Sequence, residues 1–351
     1  MEAMGVERGF WSGRRVLVTG HTGFKGSWLT MWLQSMGAEV TGFAPRMRPG
    51  PSLYELADIG AGMREVPADV REAEAVAAIV RETAPEVVLH LAAQPIVRRS
   101  YREPSETFEV NVMGTVNLLD AVRASDSVAA TVVVTSDKCY ENRGLDRGYR
   151  EDEALGGADP YSASKAAQEL VAHAYRRSFG LPIATARAGN VIGGGDFAED
   201  RLVPDVMRSA LAGAPVIVRN PDAIRPWQHV IEPISGYLML AERVAADPTG
   251  APHAVNFGPR DEDSRPVGWI VDRLAELWPG GIERVAGAEE KPPPEASVLR
   301  LDSSLAAEQL GWSPAWDLGR ALEAAVEWFV AYRDDADIQR VVLDQIDAHQ
   351  T

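Results

Sequence analysis

A tyrosine and a lysine four residues apart, Tyr161 and Lys165 in DPYSASK, can remove a proton from an alcohol if a helix carries them on one face. A free phenol, with a pKa near ~10, is a weak base at neutral pH, but a neighbouring ammonium favours the phenolate. Tyr161 could then take the proton of an alcohol hydroxyl while hydride leaves the carbon. Such a pair alone is common on solvated helix surfaces, so its surroundings decide its meaning. Upstream, Ser136, Asp137 and Lys138 in TSDKCY close a β-branched run, TVVVT at 131–135. In open parallel sheets, ligands bind outside the carboxyl ends of the strands. Elsewhere Asp137 and Lys138 would read as an exposed turn pair; here they extend a candidate hydroxyl-oxidising site.

The elements that must position this cluster are legible around it. Asp159 is a good N-cap, Pro160 suits the first helical position and Gly180 supplies the stop, so a helix is expected over 160–179. Near the N-terminus a buried-type strand, RVLVT at 15–19, runs directly into GHTGFKG at 20–26 and then an apolar helix over 27–36 ended by Gly37. Glycines at 20, 23 and 26 permit a tight turn, close approach of a pyrophosphate and packing of helix on strand. A dinucleotide site follows, with Gly20, Thr22, Gly23, Phe24 and Gly26 in the turn and Arg46, Asp69 and Ala92 at neighbouring strand ends. The second strand, 39–43, is followed by Ala44, Pro45 and Arg46 instead of the acid that selects NAD. Arginine there suits a 2′-phosphate, which leaves both NAD and NADP open. Asp69 is placed to meet an adenine edge or to cap a helix over 71–82, or both.

The alternation continues with a strand at 65–67, another at 87–91 leading into Ala92, Ala93 and Gln94, one long helix over 106–123, and a sixth strand at 182–187. His90, inside its strand, reads as buried and satisfied; Phe10 and Trp11 read as lying on the sheet edge. Six strands with intervening helices predict an α/β fold, a doubly wound parallel sheet of Rossmann type. Residues 1–189, joined by parts of 228–260, form the expected dinucleotide-binding domain. From Asn190 the glycine-rich NVIGGGD, 190–196, is expected to be a loop that opens a smaller C-terminal substrate-binding lobe, 190–351. There Arg201, Arg225 and His229 are the local positive groups that a diphosphate needs. Strands are expected at 216–218, 254–257 and 299–301, helices at 205–212, 231–244 and 267–278, a Pro-rich turn at 291–294 and a helical tail to about Tyr332.

Composition bounds the function. The 351 residues carry a net charge of −16, which argues against nucleic acid, while 46% hydrophobic and 25% charged residues are ordinary for a globular chain. No apolar run is long enough for a membrane span, and 1–13 lacks a basic stretch followed by an apolar one, so a cytoplasmic protein is expected. Cys139 is the single cysteine, which excludes an intrachain disulfide and a cysteine-based metal site; no metal is expected, and the thiol reads as packed under the sheet edge.

GHTGFKGSWL, HLAAQP, NVMGT, TSDKCYEN, DPYSASK, RAGNVIGGGD, DRLVPD and IRPWQHV, in this order, resemble the extended short-chain dehydrogenase/reductases over nearly the whole length, and within them the CDP-glucose 4,6-dehydratases. The resemblance implies NAD kept through the cycle, CDP-glucose as substrate, and an intramolecular redox dehydration. It assigns C4-hydroxyl deprotonation to Tyr161 with Lys165, a hydrogen bond to the C4 oxygen to Ser136, the acid at C6 to Asp137 and the C5 base to Lys138, where the related dTDP-glucose enzymes have Glu. It also places Gln94, Asn190, Arg201 and Arg225 on the substrate and implies a homodimer through the 106–123 and 160–179 helices. Arg46 departs from the acid of the subfamily pattern. The competing readings are a nucleotide-sugar 4-epimerase or 4-ketoreductase, which need no acid/base pair for elimination, and a catalytically silent NAD-binding scaffold.

Overall fold

A computed structural model describes residues 5–46, 50–218, 220–287 and 299–351. Twelve strands are present among them: β1 Arg15–Thr19, β2 Glu39–Ala44, β3 Arg64–Pro67, β4 Val87–His90, β5 Ala130–Val134, β6 Ile183–Ala188, β7 Asn190–Ile192, β8 Val216–Val218, β9 Ile224–His229, β10 Ala254–Phe257, β11 Ser264–Pro266 and β12 Arg284–Ala286. Seven form one all-parallel sheet in the order β10-β6-β5-β4-β1-β2-β3. β4, β5 and β6 are buried along their whole length because helices cover both faces, which is why they are near-continuous apolar runs instead of alternating ones. The Phe24–Ser35 and Ile231–Ala246 helices pack together on one face; Ala73–Thr83, Gly114–Arg123 and Pro160–Phe179 lie on the other. Strand order reverses between β1 and β4, so a crevice opens there outside the carboxyl ends.

The doubly wound sheet is as expected, with a seventh strand: β10, far along the chain, returns to pair with β6. The helix that aims the Tyr/Lys pair begins and ends as its sequence dictates. Asp159 Oδ1 accepts from the Ser162 N–H at 2.9 Å, Pro160 occupies the first turn, and Gly180, at φ 68°, ends it with its N–H on Arg176 O.

Several expectations are corrected. Asn190–Ile192 is not loop but β7, paired with β9 in a second sheet of order β11-β9-β7, because Val191 and Ile192 bury as a β-branched pair and the glycines begin only afterwards. Those glycines serve packing: a Cβ on Gly194 would stand 1.9 Å from Trp328 Cγ. The long helix is divided into Pro104–Phe108, a π turn Glu109–Met113 and Gly114–Arg123, a local widening through which a 3.6-residue period still reads. Phe10 and Trp11 belong to a short helix, Arg8–Trp11, and Trp11 is in the core with its Nε1 donating to Glu242 Oε1 at 2.6 Å. The expected strand at 299–301 reduces to one bridge, Tyr149 with Leu301, and the Pro-rich turn at 291–294 lies outside the described residues. The tail continues past Tyr332 into a further helix, Ile338–Gln350.

Behind the carboxyl end of β5 a buried polar network binds strands to helix. Arg187 of β6 meets Glu169 at 2.7 Å, both almost without exposure. Thr185 Oγ1 donates to the same carboxylate at 2.6 Å, Thr135 Oγ1 also donates to it, and Arg187 Nη1 donates to Tyr140 Oη at 2.7 Å. Removing one partner of such a pair leaves a buried charge uncompensated, at a cost of about 3–5 kcal/mol. Arg187→Met should lower unfolding free energy by that amount in urea titration; a loss below about 1 kcal/mol would show that the network does not depend on the guanidinium.

Candidate active site

The carboxyl ends of β1, β4, β5 and β6 border one cleft of about 2240 Å³. At the β1 end the glycine turn is compressed. Gly20 sits at φ 74°, where an added Cβ would stand 2.8 Å from Ala92 N, and a Cβ on Gly26 would stand 2.1 Å from Gly20 O. The N-cap of the Phe24–Ser35 helix that follows is Gly23, so among the described residues no N-cap side chain meets its first-turn N–H groups, the state that a phosphate satisfies. Thr22, Gly23, Phe24, Ala92, Arg46 and Asp69 line the cleft with Gly20 and Gly26. The donor set and the glycine cradle fit a dinucleotide. Arg46 is exposed on the rim just past β2. Asp69 does not cap the next helix, which starts at Ala73 with Glu72 before it; its Oδ1 accepts from the Arg71 N–H at 2.9 Å and its Oδ2 from the guanidinium at 2.8 Å, and these bonds hold the carboxyl below the usual range.

At the β5 end the cluster assembles as its spacing implies. Ser136 precedes a short 3₁₀ turn, Asp137–Cys139; its Oγ accepts from the Lys138 N–H at 3.2 Å and donates to Asp137 Oδ1 at 2.8 Å. Tyr161 and Lys165 project from their helix into the same cleft as Ser136, Asp137 and Lys138. Lys165 Nζ donates to Val134 O at 3.3 Å and stands 6.0 Å from the Tyr161 ring centroid. Burial governs the charges. It pushes the Tyr161 phenol up to about 12, against a hydrogen bond to Ser136 that lowers it. It also brings the Lys165 ammonium down to about 7, helped by the like charge of Lys25. The groups that lower the phenol are Ser136 and Arg201, and not Lys165 as expected; burial outweighs them in the protein alone. Asp137 is raised by burial, against the charge of Lys138, the Ser136 bond and Lys25. Such a carboxyl is suited to hold a proton for delivery. Cys139 is fully buried against Tyr140, Tyr149 and Ala166, away from the cleft.

The expected substrate residues divide. Asn190, Arg201 and Arg225 line the cleft. Arg201 lies 3.6 Å from Asp196, a buried acid that the sequence reading passed over in GGGD. Arg225 Nη1 donates to Ile224 O at 2.9 Å. Gln94 also lines the cleft, but its amide is engaged in shaping the loop after β4: Oε1 accepts from the Ile96 N–H at 2.7 Å, and Nε2 donates to Ile96 O at 3.1 Å and Thr107 Oγ1 at 3.0 Å. Asn111, in the π turn, holds that loop by bonding both Gln94 N and Gln94 O, and donates to Ser164 on the Tyr/Lys helix at 2.8 Å. His229 is corrected. It is fully buried between Trp28 and Trp316, outside the cleft lining, and burial lowers it to about 3, so it is a neutral packing residue and not a phosphate ligand. His90 is buried and bonded on both ring nitrogens, to Thr19 and Thr115. Lys25 also lines the cleft and was not singled out; its signal was a lysine inside the glycine turn.

Known proteins resemble the chain in sequence and fold. The chain is 48% identical to the CDP-glucose 4,6-dehydratase of Salmonella typhimurium, over 93% of each chain. It is 27% identical to the dTDP-glucose 4,6-dehydratase of the same organism, over 90% of this chain and 93% of that one. The crystal structure of the Thermus thermophilus UDP-glucose 4-epimerase complex with NAD superposes with a TM-score of 0.76 at 26% identity, covering 90% of this chain and 99% of that one. Residues 17–324 match the family described as GDP-mannose 4,6 dehydratase. The chain belongs to this family of extended short-chain dehydrogenase/reductases.

Proposed function

We propose that the protein is an NAD-dependent hydro-lyase, a nucleotide-sugar 4,6-dehydratase that converts CDP-glucose to CDP-4-keto-6-deoxyglucose. The observation that carries the reading is the joining of Ser136, Asp137 and Lys138 to Tyr161 and Lys165 in one cleft, in a chain 48% identical to a CDP-glucose 4,6-dehydratase. A 4-epimerase or 4-ketoreductase needs the Tyr/Lys pair but not a buried carboxyl, raised by that burial, beside it.

NAD, when bound, supplies the hydride acceptor for C4 and later the hydride donor to C6, and its oxidised ring is cationic. Tyr161 accepts the C4 hydroxyl proton, and Ser136 donates a hydrogen bond to the C4 oxygen as it becomes a carbonyl. Ser136 opposes the burial that raises the phenol, and the positive charge of a bound oxidised cofactor and of a protonated Lys165 would add to it. The 4-ketone acidifies C5–H, which Lys138 removes. Asp137 protonates the C6 hydroxyl, which departs as water; hydride return to C6 and return of the Lys138 proton to C5 give the product, and the C4 proton held by Tyr161 is passed through solvent to Asp137, which restores both groups. Residues 1–189, with parts of 228–260, hold the dinucleotide, and 190–351 close over the sugar nucleotide. Arg201 and Arg225 then meet the diphosphate, and Asn190 the sugar. Arg46 at the ribose end makes NADP the cofactor to compare with NAD. Incubation with CDP-glucose and each cofactor, followed by mass, should show loss of one water with no net cofactor reduction; an unchanged mass would return the reading to the epimerase.

We infer a cytoplasmic homodimer. Among the described residues no helix is long and apolar enough to cross a membrane. Phe108, Met113, Leu170 and Phe179 are large apolar side chains exposed on the adjoining Pro104–Phe108, Glu109–Met113 and Pro160–Phe179 segments. A two-fold axis would bury each set against its copy. Leu170→Asp should halve the sedimenting mass; a variant that stays at the wild-type mass would place the interface elsewhere.

A further inference from the structure

The glycines that line the cleft differ in what a side chain would meet at them. A Cβ on Gly20 or Gly26 would run into backbone, and one on Gly195, at φ 81°, into Leu53. Gly189 does neither. It joins the carboxyl end of β6 to β7, lines the cleft and is half-buried. Its φ is not positive, so its backbone admits alanine. The atom nearest an added Cβ is Oδ2 of Asp137, at 3.3 Å; the next is Pro226 Cγ at 3.5 Å, an ordinary contact. What the missing side chain leaves open is space beside the acid of the cluster.

The two oxygens of that acid are placed differently. Oδ1 accepts from Ser136 Oγ at 2.8 Å, and Oδ2 faces Gly189. A carboxyl that accepts on Oδ1 carries its proton on Oδ2, the oxygen that then donates. To be protonated, a leaving hydroxyl must come within about 2.6–3.2 Å of that donor. A Cβ on Gly189 would stand almost as close to the same atom, so the two compete for its open side. Asp137 is 5% exposed, and its carboxyl could yield to a methyl only by shifting against Ser136. Blocked or displaced, the loss falls on delivery of the proton to C6. The three atoms nearest the added Cβ are Asp137 Oδ2, Pro226 Cγ and Asp137 Cγ, none of them from Ser136, Tyr161 or Lys165, so the oxidation at C4 is spared.

We propose that Gly189 is a specificity-determining position: its missing side chain leaves beside Asp137 Oδ2 the space that the C6 hydroxyl of a hexose enters to be protonated. The proposal rests on the dehydratase reading and adds to it where C6 lies. A pentose nucleotide, which ends at C5, makes no use of this space.

The test compares Gly189→Ala with the wild type, as full-length protein supplied with NAD, on CDP-glucose and on CDP-xylose, the same nucleotide sugar without C6. Both sugars give hydride from C4 to NAD and the C4 hydroxyl proton to Tyr161, but only CDP-glucose has a C6 hydroxyl to lose as water. With CDP-xylose the variant should form reduced cofactor at the wild-type rate. With CDP-glucose it should accumulate reduced cofactor, while water loss, followed by mass, falls by about 10–100-fold, the scale for misplacing reacting groups by up to ~1 Å. Undiminished water loss in the variant would overturn the proposal and leave the dehydratase reading standing. Equal losses on the two sugars would mean that the methyl disturbs the whole cleft, which also defeats it. A thermal melt well below that of the wild type would show that the backbone itself needs glycine, against the open space argued from Pro226 and Asp137. A wild type that leaves the mass of CDP-glucose unchanged removes the reading and the proposal together.

Discussion

Tyr161→Phe should stop the reaction at its first step, with CDP-glucose turnover falling by about 10²–10⁴-fold, the range for loss of a positioned general base. The substitution removes the one oxygen placed to accept the C4 proton and keeps the ring, which is 8% exposed, in its place on the cleft wall. Its hydroxyl is also the group that burial pushes up to about 12 and Ser136 draws down, so the variant discards a strained charge equilibrium along with the base. Two readouts separate chemistry from folding. Stopped-flow absorbance should show no transient reduced cofactor when substrate is mixed with the variant, while a thermal melt should stay close to that of the wild type. Retention of more than about a tenth of the turnover would mean that another group takes the proton.

Asp137→Asn should divide the cycle instead. Oxidation at C4 needs Tyr161, Ser136 and Lys165, all untouched, so the variant should still form reduced cofactor with CDP-glucose. Elimination needs a proton at the C6 oxygen, which an amide does not deliver; the water-loss product should appear about 10²–10⁴-fold more slowly, and the reduced cofactor should accumulate. Equal loss of both steps would remove Asp137 from the acid role. A second outcome follows from linkage. Burial raises the Asp137 carboxyl in the folded state, so the native protein holds that proton more tightly than the unfolded chain does. Its contribution to stability is then full below the unfolded value and fades as pH rises through the folded one. Asparagine has no charge to bury. The variant should therefore melt at or above the wild-type temperature at pH 8, and the difference should shrink on acidification; a variant less stable at pH 8 than the wild type would contradict a burial cost on the carboxylate.

What was legible in the sequence depended on how local its cause was. The Tyr/Lys helix could be read to its ends because Asp159, Pro160 and Gly180 act within one turn of themselves. The glycine turn could be read because one of its contacts, Gly26 against Gly20 O, joins residues only six apart. β10 was recognised as a strand, but its partner, β6, is set by the path of the intervening chain, which no local pattern encodes. β7 was lost because the three glycines after it outweighed two β-branched residues, and their reason, the Trp328 ring against Gly194, lies over a hundred residues away. His229 was misread for a related reason. Four residues from Arg225 and on the same face of β9 it resembles a phosphate ligand, but the strand passes from the half-buried Ile224 and Arg225 into the core, and His229 falls among Trp28 and Trp316 instead of in the cleft. Lys25 was visible throughout, yet only the fold puts Tyr237 beside it.

The return of β10 also bears on how the chain is made. β6 has β5 on one side and β10 on the other, and everything from β7 to the Ile231–Ala246 helix is threaded between the two. On the ribosome, β1 to β6 emerge as a nearly complete sheet, while β6 stays an open edge of buried-type residues, Ile183–Ala188, until Ala254–Phe257 arrives. Open apolar edges recruit other strands. Chains interrupted between these two segments should therefore be the aggregation-prone fragments of this protein, and a ribosome pause in that interval would lengthen the exposure.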